Sequence, residues 1–207
     1  MLERITPVNK ALILANLVVF ALQFVLGGFL YRNFALWPPQ AVSVFADAAP
    51  FRPWQLLTYG FLHDPNTFLH IFFNMFALFM FGSDIEELFG SKRYLAYYLT
   101  CVIGAALMHM IVMASADLNP YPMVGASGGV FGLLLAFGMA WPKRTLMLLF
   151  PPIPMPAWLF VTLYGILELY MGVTSTASGV AHFAHLGGMA TGFVMIRYWQ
   201  GQRRRRR

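Results

Sequence analysis

Three short stretches of this sequence carry groups able to do chemistry. The first is Gly125-Ala126-Ser127-Gly128-Gly129, a serine among glycines that also reads as G-x-S-x-G. In a hydrolase sheet that pattern marks a nucleophile between a strand and a helix. Here Pro122 precedes it and an apolar helical run follows, so the sheet context is missing. What survives is a serine at a helix N-terminus, where unpaired backbone N–H groups can hold an oxyanion. The same residues would also serve as a serine cap with glycines for close helix packing. The second stretch holds His70 and Asn74, four residues apart and so on one helix face. Such a pair can donate hydrogen bonds to developing negative charge, or link two helices. The third runs Ala181-His182-Phe183-Ala184-His185-Leu186-Gly187-Gly188-Met189-Ala190-Thr191-Gly192. Gly188 and Gly192 form a G-x-x-x-G face, and Gly128 and Gly132 offer a matching one. Contact between these faces would bring His185 to Ser127, where a neutral imidazole could take the serine's proton. No acidic residue is evident in sequence to orient that histidine, so the pair reads as a dyad.

The elements that must position these groups are membrane spans. Of 207 residues 59% are hydrophobic and 11% charged, against about 25% charged in a soluble domain. Such a chain cannot cover its surface with charge, which excludes a disordered, collagenous or ordinary cytosolic protein. One cysteine, Cys101, excludes a disulfide framework and a cysteine-built metal site. Six apolar runs are placed at 11–30, 67–83, 94–114, 127–141, 157–173 and 179–199, against the roughly 17–25 residues that a spanning helix needs. The second and fourth are short, which implies local thinning of the bilayer. Trp37-Pro38-Pro39 opens a long loop, Asn119-Pro120-Tyr121-Pro122 breaks the chain before the fourth run, and the prolines of 151–156 cannot lie inside a helix. The first run lacks a clean cleavage site and reads as an uncleaved anchor.

Orientation follows from lysine and arginine. With the N-terminus in the cytoplasm, that side holds Arg4, Lys10, Lys92, Arg93, Lys143, Arg144, Arg197 and Arg203–Arg207, twelve in all, and the other side only Arg32 and Arg52. Both termini are then cytoplasmic. The net charge of +6 is a topology signal, with no nucleic-acid partner implied. The second, fourth and sixth runs begin on the outer side. His70, Asn74, Ser127 and His185 therefore fall within roughly 10 Å below the outer surface, at 1.5 Å per residue.

Taken together, these residues resemble the rhomboid family of intramembrane serine proteases. The likeness covers nearly the whole chain: H-x-x-x-N at His70 to Asn74, G-x-S-G at Gly125 to Gly128, and A-H-x-x-G-x-x-x-G at Ala184 to Gly192, in that order on the second, fourth and sixth runs. Glu86-Glu87-Leu88-Phe89-Gly90-Ser91 is similar to the family's E-x-x-x-G-S. The resemblance implies an all-α polytopic membrane protein, a bundle of six transmembrane helices in one domain over 1–207. It implies Ser127 as nucleophile and His185 as general base. His70, Asn74 and the Ser127 backbone N–H would form the oxyanion hole. It also implies transmembrane protein substrates within a lipid bilayer and no cofactor or metal. Two departures stand out. Trp54-Gln55 replaces the family's Trp-Arg, and Phe131 replaces a tyrosine that stacks on the histidine. With no extra span or transit peptide evident, the expected location is a prokaryotic cytoplasmic membrane, with the active site toward its outer face.

Other residues leave alternatives open. Glu168, inside the fifth run, could gate substrate entry or be hydrogen-bonded within the bundle. His182-x-x-His185 with His63, His70 and Glu168 could form a metal or proton path, though these histidines cluster toward one side. His182 is the tempting wrong choice of base. His63 and His109 have no clear partner in sequence. A non-catalytic, substrate-binding relative would have lost the serine or the histidine, and both are present.

Overall fold

A computed structural model describes residues 5–44, 46, 48–115, 121–147, 152–174 and 182–205. Arg4, Asn119-Pro120, Pro151, the 179–181 start of the sixth run and Arg206–Arg207 lie outside the described residues. The described chain is mostly helical. Helix α1 is Pro7–Phe34, α2 Ala41–Val44, α3 Gln55–Thr58, α4 Phe68–Ala77, α5 Ser83–Phe89, α6 Ser91–Ser115 and α7 Ser127–Ala140. A two-stranded antiparallel ribbon, β1 (Thr145–Met147) and β2 (Pro154–Pro156), pairs Leu146 with Met155. It is followed by α8 (Ala157–Thr174) and α9 (His182–Arg205).

Among the described residues four helical segments are long and apolar enough to cross a membrane: Pro7–Phe34, Phe68–Phe89, Ser91–Ser115 and Ala157–Thr174. The second run is therefore not short. Helices α4 and α5 are joined through a wide π turn, Leu78–Gly82, so the segment extends to 22 residues. The widened turn is held by Asn9, whose side-chain amide donates to the Leu78 carbonyl at 2.9 Å and accepts from the Tyr94 hydroxyl at 2.8 Å. Helix α7 does stay short, at 14 residues, or about 21 Å. It is walled in by protein on nearly every face, including Gly128, Gly129, Leu133, Phe137 and Gly138.

Pro7 opens α1, where its missing N–H costs nothing. The carboxylate of Glu86 accepts from the backbone N–H groups of Val8 (3.2 Å) and Asn9 (2.8 Å) and from the hydroxyls of Thr6 (2.5 Å) and Ser91 (2.6 Å). An acid at a helix N-terminus is favoured both by these donors and by the dipole. Gly90 ends α5 with φ +76°, so the Glu-to-Ser stretch turns the chain and caps α1.

The core forms where α6, α7 and α9 meet, around Tyr94, Tyr97, Tyr98, Cys101, Leu133 and Phe137. Tyr97 donates to the Gly132 carbonyl at 2.8 Å and Tyr59 to the Val102 carbonyl at 2.7 Å, so both buried phenols are satisfied. By contrast α8 buries only Ala157, Val161 and Glu168 and leaves Ile166, Leu169, Tyr170 and Val173 exposed. An apolar exterior of this kind faces lipid.

The loop after α1 is anchored despite lacking the family's arginine. Gln55 is fully buried. Its carbonyl accepts from the backbone N–H groups of Trp37 (3.3 Å) and Arg52 (3.2 Å), and its amide donates to the carbonyls of Asn33 and Pro50, each at 3.4 Å. The neighbouring Trp54 donates to the Asn33 carbonyl at 3.0 Å. One neutral side chain therefore binds four backbone groups in and beside the loop.

Candidate active site

Ser127 is the first residue of α7. The turn before it depends on Gly125, whose φ of +130° suits glycine alone. A Cβ on Gly125 would lie 2.7 Å from Nε2 of His70, so the missing side chain is also what admits that ring to the site. Facing α7, Gly188 of α9 has no room for a Cβ, which would run into the Gly128 carbonyl. This contact of two backbones sets the serine helix against the histidine helix. It brings His185 Nε2 to 2.8 Å from Ser127 Oγ.

The wider glycine match needs correcting. Gly132 packs chiefly on the Cys101 side chain and Gly192 on Tyr97 and Cys101. Those two glycines face α6 side chains, and a Cβ on Gly132 would also lie 3.5 Å from the Gly188 carbonyl of α9. Of the four, Gly128 and Gly188 make the tightest contact between the two helices.

Phe131, one turn after Ser127, lies flat on His185, with ring centroids 4.2 Å apart and planes at 7°. On its other side is Tyr164 of α8, at 6.1 Å. The stack fixes the imidazole plane without a hydroxyl. Phe131→Leu is expected to lower the cleavage rate by about tenfold, an energy of the size of one aromatic contact, while Phe131→Tyr keeps it. Initial rates on a single-span substrate check this, and full activity in Phe131→Leu would contradict it.

The serine–histidine pair has an acidic neighbour that the sequence did not reveal. Glu168 Oε2 is 2.8 Å from His185 Nδ1 and 2.8 Å from His182 Nδ1. All three residues are buried. Nothing local in sequence predicts this, because Glu168 comes from α8 and meets the histidines only when α8 docks on α9. The three groups offer ligand atoms within 4.8 Å of one another, a donor set that fits a divalent ion. A metal on His185 Nδ1 would force the ring proton onto Nε2 and remove the lone pair facing Ser127, so metal binding and proton acceptance exclude each other.

His70 and Asn74 stand on the opposite wall. The Asp64 backbone N–H donates to His70 Nδ1 at 3.4 Å, which makes Nδ1 the acceptor and leaves the proton on Nε2, the nitrogen beside Gly125. Asp64 is itself held by the Asn66 backbone N–H and the Thr67 hydroxyl, each at 2.9 Å. The Asn66 bond heads the causes that keep its carboxyl below the usual carboxylate range. Asn74 donates one amide proton to the carbonyl of His70 at 2.8 Å, with its second amide proton still available.

His63 is fully buried, its ring 5.0 Å from that of His70. Its backbone is clamped by Gln23, which donates to the His63 carbonyl at 2.7 Å and accepts from its N–H at 3.0 Å. Burial, with His70 adding to it, pushes the His63 pKa from 6.5 down to about 3. The unfolded chain therefore takes up a proton between pH 6.5 and 3 that the folded chain refuses. The stability from a neutral His63 is full above pH 6.5 and is lost as pH falls through that window. His63→Gln is expected to flatten the fall of Tm between pH 6.5 and 4, and an unchanged slope would contradict this. His109, for its part, bonds the Tyr121 carbonyl at 3.2 Å and stacks edge-on against its ring, a structural pairing.

Comparison with known proteins shows the family of the chain. The sequence model of the Rhomboid domain matches residues 50–200. The chain is 31% identical over 141 residues to Rhomboid protease GluP of Bacillus subtilis, an overlap of 68% of this chain and 25% of that protein. It is 29% identical over 135 residues to Rhomboid protein 1, mitochondrial, of Saccharomyces cerevisiae, covering 61% of this chain and 37% of that one. It is 32% identical over 142 residues to RHOMBOID-like protein 4 of Arabidopsis thaliana, covering 69% and 33%. The chain thus spans a quarter to somewhat over a third of the length of these relatives.

Proposed function

The chain belongs to the rhomboid family, and from that premise we propose that it is an intramembrane serine endopeptidase that cuts transmembrane segments of other membrane proteins. The observation that carries the reading is the 2.8 Å approach of His185 Nε2 to Ser127 Oγ. This is the distance at which an imidazole can take a hydroxyl proton. Ser127 attacks the scissile carbonyl while its proton passes to His185. The oxyanion sits against the Ser127 backbone N–H, the Nε2–H of His70 and the free amide proton of Asn74. His185 then protonates the leaving amine, and water hydrolyses the acyl-enzyme.

The bundle has six spans in a single domain over 1–207. Helix α7 serves as the short fourth and α9 as the sixth, both termini are cytoplasmic, and the site lies toward the outer face. The distribution of lysine and arginine supports that orientation. The membrane proposed is a prokaryotic cytoplasmic one; the relatives come from Bacillus subtilis and, as a mitochondrial protein, from Saccharomyces cerevisiae alike. A peptide bond in an intact substrate helix is internally hydrogen-bonded and dry. Substrates with small or helix-breaking residues near the outer end of their span open there at least cost.

Incubating the purified protein with a single-span substrate in detergent, and locating the new N-terminus by mass spectrometry, tests the reading. The expected cut lies in the outer part of the substrate span and persists after chelator treatment. No cut by folded protein, or a cut confined to the cytoplasmic end, would refute it.

A further inference from the structure

We propose that Glu168 is a positioning carboxylate for His185, so that this chain works through a line of three groups, Ser127–His185–Glu168, with His182 holding the carboxylate from its other side. The inference rests on the serine-protease reading above and deepens it.

The line is continuous. Ser127 Oγ, His185 Nε2, His185 Nδ1 and Glu168 Oε2 are joined by two contacts of 2.8 Å. A carboxylate oxygen can only accept, so the ring proton of His185 belongs on Nδ1. That tautomer turns the Nε2 lone pair toward the serine, as a general base requires. Without an acceptor at Nδ1 the ring is free to carry its proton on Nε2, where it cannot take another from Ser127. Phe131 holds the plane of the ring, and Glu168 selects its tautomer and its rotation within that plane.

The setting of Glu168 supports a task. It is one of only three buried residues on a helix otherwise open to lipid, where a carboxylate is costly. Among the described residues its Oε2 meets the Nδ1 atoms of two imidazoles and no lysine or arginine. His182, one turn before His185 on α9, fixes the same oxygen at 2.8 Å. The titratable groups facing His185 are then Ser127 from α7, Glu168 from α8, His182 from its own helix and His70 of α4 across the site. Of these only Glu168 brings negative charge.

The proton movements balance. The Oγ–C bond forms as the carbonyl π pair moves to oxygen, and the hydroxyl proton goes to Nε2. The imidazolium so formed lies against the Glu168 carboxylate, which stabilises it without taking its Nδ1 proton. Collapse of the oxyanion breaks the C–N bond, and the Nε2 proton leaves on the amine.

The test is kcat and KM of the intact protein, with Glu168→Gln, Glu168→Asp, His182→Ala and Ser127→Ala, on one single-span substrate. Glu168→Gln is expected to lose at least about tenfold in kcat with KM little changed. Glu168→Asp should recover part of the loss, and His182→Ala should stay more active than Glu168→Gln. Folded Glu168→Gln with the kcat of the wild type would overturn the inference, and so would His182→Ala falling below it. If Glu168→Gln does not fold, ring-15N NMR of the wild type decides, with His185 assigned by its loss in His185→Ala. A proton on Nδ1 is expected, and one on Nε2 overturns the proposal. Cleavage that survives Ser127→Ala would instead defeat the protease reading itself.

Discussion

Replacing Ser127 by alanine is expected to abolish cleavage of a single-span substrate, a loss of at least about 10³-fold, with the fold intact. Among the described residues the side-chain oxygen of Ser127 has one hydrogen-bond partner, His185 Nε2 at 2.8 Å, so its removal deletes the proposed nucleophile and little else. Alanine also suits the first turn of a helix, and α7 keeps its start because Gly125 and the Val130 N–H bond to the Ala126 carbonyl at 3.1 Å remain. His185→Ala is expected to lose as much, and the double variant no more than either single one, because nucleophile and base act as one unit. Gel separation of substrate and product against time, with thermal unfolding as the control for folding, reads all three. Unimpaired cleavage by Ser127→Ala would sink the serine mechanism.

A single methyl group on α9 should be nearly as damaging. In Gly188→Ala the new Cβ would collide with the Gly128 carbonyl, which is backbone and cannot rotate away as a side chain could. Relief requires α7 and α9 to separate. Such overpacking costs about 1–3 kcal/mol. It also moves His185 relative to Ser127, and a misplacement of about 1 Å can cost about 10²-fold in rate. Gly165→Ala is the control, since its Cβ would find only the Met189 methyl at 3.6 Å and should leave Tm and rate unchanged. Thermal unfolding and initial rates check both variants. Wild-type rate in Gly188→Ala would mean that the contact between the two helices does not set the site.

Much of the site was legible without coordinates because its signals are local. Ser127 among glycines, His70 four residues from Asn74, and His185 ahead of Gly188 are each a single turn of helix. A helix keeps such residues on one face wherever it packs. The loop after α1 was less legible. Gln55 in place of arginine suggested a weakened anchor, yet its amide binds four backbone groups, an arrangement that depends on how Trp37, Asn33 and Pro50 converge. The length of the second span was misjudged because Ser83 to Phe89 brings polar residues into the run, and the helix continues through its π turn with Asn9 and Glu86 satisfied by distant partners.

The sequence by itself determined that this chain belongs in a membrane, which side its positive charges favour, and which serine and histidine are the candidates for its chemistry. Composition, charge placement and helical spacing are properties of the chain before it folds. Only the tertiary structure decided that Gly188, and not Gly192, lets α9 reach α7, and that Glu168 meets His185. Those outcomes depend on the crossing of whole helices, and a packing contact between residues 17 or 60 positions apart leaves no periodic trace in either segment.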